Sequence, residues 1–169
     1  MTSLWLNDRI PVPNTSNGIH SIMLEWVRKH WHESYQSCVL VTEPEDGAAI
    51  VSRELYDVPV DAIPNAPDLN VLVHWQKRYD VVICQAVLEH LCRPSVAVEN
   101  LVRLATVGGL VSLHTHIPPM PYHGWPIDCI RVFPDFFRDL QKYLPYELLE
   151  IQIHEPYNIF ALLRTRDAA

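Results

Sequence analysis

The stretch YDVVICQAVLEHLCRPSVAVENLVRLATVGGLVSLHTHIP, residues 79–118, decides the fold. Tyr79-Asp-Val-Val-Ile-Cys84 is a short apolar run of the kind that forms a strand buried on both faces. Ala97, Val98, Leu101, Val102 and Leu104 recur at helical spacing, which predicts a helix over 95–105. Gly108-Gly109 then predicts a turn, and residues 110–114 return as another strand.

Upstream, Ile19, Ile22, Met23, Trp26, Val27 and Trp31 predict an amphipathic helix over about 18–33, with Ser16 or Asn17 as N-cap. Residues 37–42 follow as a strand, then a helix over 48–55 with Pro44 and acids before it. Residues 58–63 read as a second strand and 69–74 as a short third, separated by Pro64 and Pro67. Downstream, Pro134 opens a helix to about 143, and strands over 147–154 and 158–165 flank the turn Glu155-Pro156-Tyr157. The alternation predicts an α/β fold: a three-layer, Rossmann-like sheet, mostly parallel, with an antiparallel C-terminal hairpin strand. Residues 1–15 read as an N-terminal arm and 16–169 as a single domain.

Composition narrows the function. Of 169 residues, 49% are hydrophobic and 20% charged, an ordinary globular balance. Only 5 are glycine, and no Gly-x-Gly triplet or Gly-Lys-Ser/Thr occurs, which excludes a dinucleotide fingerprint and a P-loop in their usual form. The net charge of −7, with 13 scattered Lys and Arg, argues against nucleic acid as partner. The start MTSLWLNDRIPVPN lacks the apolar core of a signal peptide, and no apolar window reaches membrane-spanning length. The expected location is the cytoplasm, with no membrane association. The four cysteines, without a C-x-x-C pair, read as free thiols.

The quoted stretch resembles class I S-adenosylmethionine-dependent methyltransferases, the small-molecule, type 11-like group, with its "(F/Y)D-V-V-x-x-x-x-V-L-E-H" strand and later "R-x-L-x-x-G-G" turn. PYHGWPIDCIRVFPDFFRDL, residues 121–140, is similar to that family's "G-x-P-x-D-x-x-R-F-x-P" segment. The resemblance covers about residues 79–140. It implies a methyltransferase using S-adenosylmethionine and a small-molecule acceptor, with the residues after the strand at 79–84 lining the site. The family's first strand runs into an acid and a Gly-x-Gly-x-Gly turn. Here VLVTEPEDGAAI, residues 39–50, puts Glu43 and Glu45 at the first two glycines and keeps only Gly47, a degenerate motif.

The resemblance nominates Glu43, Gly47, Asp61, Gln85, Ala86 and Glu89 for the cofactor. Asp61 stands for the acid that grips the ribose hydroxyls, with Asp57 in reserve. His90, Tyr122, Trp125, Asp128 and Arg131 are the candidates for the acceptor; Asp128 and Arg131, three apart, suit either an anion clamp or a structural ion pair. His116 and His123 are the candidate bases for the acceptor's proton, in a displacement that depends chiefly on alignment. His114, His116 and His123, near Asp128 and Cys129, are also metal-ligand types, which opens a metal-dependent hydrolase as a further reading. No zinc spacing is matched, and no metal is assigned. The remaining alternative is a catalytically inactive binding or oligomerisation module that has lost the cofactor turn. A homo-oligomer is left open.

Overall fold

Alternating side chains along the central strands divide the hydrophobic core in two. Val39, Val41, Val82, Cys84, Val111, Leu113, Ala161 and Leu163 face one side of the sheet, while Cys38, Leu40, Val81, Ile83, Leu110, Phe160 and Leu162 face the other. A strand buried on both faces needs a cover on each, and helices provide it. The computed structural model describes residues 10–11, 16–42, 55–64, 68–124 and 127–167.

In chain order the elements are β1 (Ile10–Pro11), α1 (Ser16–Lys29), β2 (Cys38–Thr42), β3 (Val60–Pro64) and β4 (Tyr79–Gln85). A single 3₁₀ turn (Leu88–His90) leads to α2 (Pro94–Leu104), β5 (Ala105–His116), α3 (Pro134–Leu140), β6 (Tyr146–Glu155) and β7 (Asn158–Thr165). The seven strands form one sheet in the order β1-β6-β7-β5-β4-β2-β3. Strand β7 runs antiparallel to both its neighbours, and every other pairing is parallel. The expected α/β sheet with one antiparallel strand from a C-terminal hairpin is therefore what forms.

Helix α1 covers one face, burying Met23, Leu24 and Val27 against Cys38, Leu40, Ile83 and Phe160. Each such side chain contributes about 1.5–3 kcal/mol when fully buried. Helices α2 and α3 cover the other, through Ala97, Val98, Leu101, Leu104 and Phe137. No helix among the described residues is long and apolar enough to cross a membrane.

Three expectations need correction. Residues 69–74 are not a strand: the amide of the buried Asn100 takes their backbone groups instead, accepting from Val73 N (2.8 Å) and donating to the carbonyls of Leu69 (3.2 Å) and Val71 (2.6 Å). Gly108-Gly109 does not precede β5 but lies within it. Helix α2 stops at Leu104, and Ala105 already pairs with Tyr79 in extended conformation. The register then shifts, with Gly108 taking the irregularity at φ +79° and Gly109 packed where a Cβ would lie 2.8 Å from the Asp80 carbonyl. Helices α1 and α3 end at Lys29 and Leu140, earlier than their apolar spacing implied. The arm contributes β1, which adds to the edge of β6; the expected helix over 48–55 lies almost wholly outside the described residues.

Asp80 anchors the amino ends of the strands. It accepts from Gln36 N, Ser37 N and Ser37 Oγ (2.9, 3.0 and 2.8 Å) and from Thr106 Oγ1 (3.1 Å). Burial works against its charge, yet these donors hold its carboxyl below the ordinary range.

Candidate functional site

Parallel α/β sheets collect ligands at the carboxyl ends of their strands, where loops diverge. Here β2, β4 and β5 end at Thr42, Gln85 and His116, with Thr42 opposite Gln85 and Gln85 opposite His114. Directly after β4, Ala86 adopts φ +52° and donates its N–H to the His114 carbonyl at 3.0 Å. A left-handed alanine is uncommon and marks a chain turned sharply by its surroundings. The turn delivers Leu88 into the core and leads to Glu89, which is 0% exposed, and His90.

Glu89 is the hub. Thr115 donates its hydroxyl to Glu89 Oε2 at 2.7 Å. The other oxygen, Oε1, lies 3.2 Å from His116 Nε2, 3.8 Å from His123 Nε2 and 4.0 Å from His90 Nε2. The rings stand edge to face, with centroids 5.0 Å apart for His116–His123 and 5.2 Å for His90–His123. The backbone closes around the same residue: Cys129 N and Ile130 N both donate to the Glu89 carbonyl, at 2.7 and 3.2 Å. His90 Nδ1 donates to Ile127 O at 2.5 Å.

The loop that brings His123 inward is held by its own ion pair. Asp128 accepts from His123 N (2.9 Å), and His123 Nδ1 lies 3.4 Å from the same carboxylate oxygen. Arg131 clasps Asp128 with two nitrogens and also donates to the carbonyls of Met120 (3.2 Å) and Pro121 (2.8 Å). The Arg131 guanidinium holds the Asp128 carboxyl far below the usual carboxylate range. Burial pushes His116 below its ordinary value, with the Glu89 carboxylate pulling the other way.

The structure brings Gln85, Ala86, Glu89, His90, His116, His123, Asp128 and Arg131 to this one end of the sheet. His114 packs edge to face on His116, with ring centroids 5.2 Å apart, but is itself engaged by Asn158 Oδ1 at 2.8 Å and packs on Phe160. Tyr122 is 77% exposed. Glu43, Gly47 and Trp125 lie outside the described residues.

Asp61 is corrected. It is the second residue of β3, near the amino end, where Lys77 Nζ (2.5 Å) and the Tyr79 hydroxyl (2.6 Å) engage it. The strand starts two residues later than its apolar pattern suggested and ends at Pro64, so Asp61 faces the wrong end of the sheet for the cofactor role. Asp57 precedes the strand altogether, at φ +57°. Sequence reasoning also missed Thr115. The signal was present in His114-Thr-His116, whose central residue at a strand end shares the edge with both histidines.

A cleft of about 580 Å³ opens at the opposite, amino end of the sheet, lined by residues including His30, Tyr35, Asp80, Gly108 and Arg164. It holds none of the cluster's residues, and the polar convergence at the carboxyl edge is the stronger indication of a site.

No protein-family model and no curated protein matches the sequence. Solved structures do match. A Galdieria sulphuraria protein designated a sarcosine dimethylglycine methyltransferase superimposes with TM-score 0.69 at 11% identity, over 91% of this chain and 86% of that one. The 1,6-didemethyltoxoflavin-N1-methyltransferase of Burkholderia thailandensis, with bound S-adenosylhomocysteine, gives 0.57 at 13% identity over 86% and 77%. A [4+2]-cyclase gives 0.64 at 10% identity over 95% and 87%, which shows the same sheet beneath a different reaction. At such identities the likeness establishes architecture: the chain has the class I methyltransferase fold.

Proposed function

We propose that the chain is an S-adenosylmethionine-dependent methyltransferase acting on a small molecule in the cytoplasm. The observation that carries this reading is the polar cluster of Glu89, His90, His116 and His123 at the carboxyl edge of β4 and β5, on a fold shared with methyltransferases. The described residues fit a cofactor in part. Gln85, 9% exposed, and the left-handed Ala86 lie at the edge between β2 and β5 where such a ligand would be held. Asp61 does not belong to that set.

When bound, the cofactor supplies the methyl group. The chain's own part is to position the acceptor and take its proton, for which His116 and His123 are the candidates, with His90 beside them. Asp128 and Arg131 act on the acceptor through the loop they fix.

Calorimetric titration with S-adenosylmethionine and S-adenosylhomocysteine tests the reading. Saturable heat and a rise in thermal midpoint with either are expected. No heat and no shift with both would sink it and return the chain to the non-catalytic alternative.

A further inference from the structure

Glu89, His116 and His123 offer one ligand atom each within 4.8 Å of one another, and we propose that they form a binding site for a divalent first-row transition ion. Atoms coordinated to one ion at about 2.0–2.2 Å in tetrahedral or octahedral arrangement are separated by roughly 3–3.6 Å. The Glu89 Oε1 distances of 3.2 Å to His116 Nε2 and 3.8 Å to His123 Nε2 lie near that range.

A second observation points the same way. Oε1 belongs to a side chain with no solvent exposure, yet no hydrogen-bond donor among the described residues is aligned on it. His116 lies close but not in hydrogen-bonding orientation, as when two ligands share a cation rather than a proton. A buried carboxylate oxygen left this way is costly, and an ion removes the cost. Its partner oxygen is meanwhile fixed by Thr115.

The surroundings are those of a supported metal ligand. His123 turns its other nitrogen, Nδ1, to Asp128 Oδ2 at 3.4 Å, and Arg131 fixes Asp128, an outer carboxylate that orients a ligating imidazole. Two imidazoles and one carboxylate suit zinc, iron, cobalt or manganese over calcium or magnesium, which favour all-oxygen sites. Three protein ligands leave coordination positions open, so an oxygen of the acceptor, as hydroxyl or carboxylate, has a place to bind beside His90. With the ion bound, His116 and His123 are held as ligands, and the acceptor's proton falls to His90 beside them. The ion site stands on these side chains alone, and only the seating of the acceptor on it rests on the methyl-transfer reading, so metal titration and methyl-donor titration fail separately.

The test is titration of chelator-treated, untagged protein with cobalt(II) chloride, read by visible absorbance and calorimetry. One equivalent with ligand-field bands is expected. Glu89→Gln should weaken binding by more than the roughly hundredfold that outer-shell changes reach. His123→Ala, on a half-buried loop residue, should do the same and serves if the buried Glu89→Gln variant fails to fold. His32→Ala, at the other end of the sheet, should bind as the parent does. No bands at millimolar cobalt, or binding that survives His123→Ala, overturns the proposal.

Discussion

The hydroxyl of Thr115 donates to Glu89 Oε2 across 2.7 Å, joining the carboxyl end of β5 to the chain that leaves β4. Both residues are fully buried, so this bond is the carboxylate's link to the sheet.

Thr115→Val keeps the shape of the side chain and removes the donor. A buried acceptor left without its partner costs about 1–3 kcal/mol. Urea unfolding should show that loss with an unchanged slope; an unaltered midpoint would mean that the carboxylate is stabilised by other means.

Asn100→Leu should release residues 69–73, whose backbone it holds through three hydrogen bonds. The expected result is early proteolytic cleavage within 68–78 and a stability loss of about 2–4 kcal/mol. Cleavage elsewhere first, at parent rate in this segment, would contradict the role assigned to the amide.

The two adjacent glycines should differ in kind. At Gly109 a Cβ meets the Asp80 and Thr106 carbonyl oxygens at 2.8 and 2.9 Å, backbone that cannot swing aside. At Gly108 the space is open and the penalty is the positive φ alone, about 1–2 kcal/mol. Thermal melts should rank Gly109→Ala below Gly108→Ala, and the reverse order would refute the packing argument.

Acid should weaken the amino end of the sheet through Asp80. Its carboxyl is held below the unfolded value of about 3.9. Its stabilising contribution is therefore complete above that pH and is lost as pH falls through the lower folded value. Denaturation midpoints measured from pH 6 to 2 should drop in this window, and the drop should be shallower in Asp80→Asn.

Cys92 and Cys129 place their sulfurs 3.3 Å apart, both exposed, beside the turn that carries Glu89. Treatment with diamide should join them, giving a peptide pair linked through Cys92 and Cys129 that reductant separates. Full labelling of both thiols by iodoacetamide after diamide would show that they do not meet.

The strands at 79–84 and 110–114 and the C-terminal hairpin were legible because apolar runs and turn residues are local signals. The segment at 69–74 was misread because its apolar residues satisfy their backbone through a side chain distant in sequence, which no local pattern reveals. Asp61 failed for a related reason: one residue's place along a strand decides which end of the sheet it serves, and composition leaves strand limits loose. Glu89, His116 and His123 were each singled out, but their convergence depends on Ala86 turning the chain and on Arg131 folding the loop, both tertiary effects.

Ile10 pairs with His154, so the first strand among the described residues docks on one that is synthesised long after it. The nascent segment has no place in the sheet until the hairpin has emerged. Completion of that edge therefore waits for β6, and a truncation that removes β6 releases β1 as well.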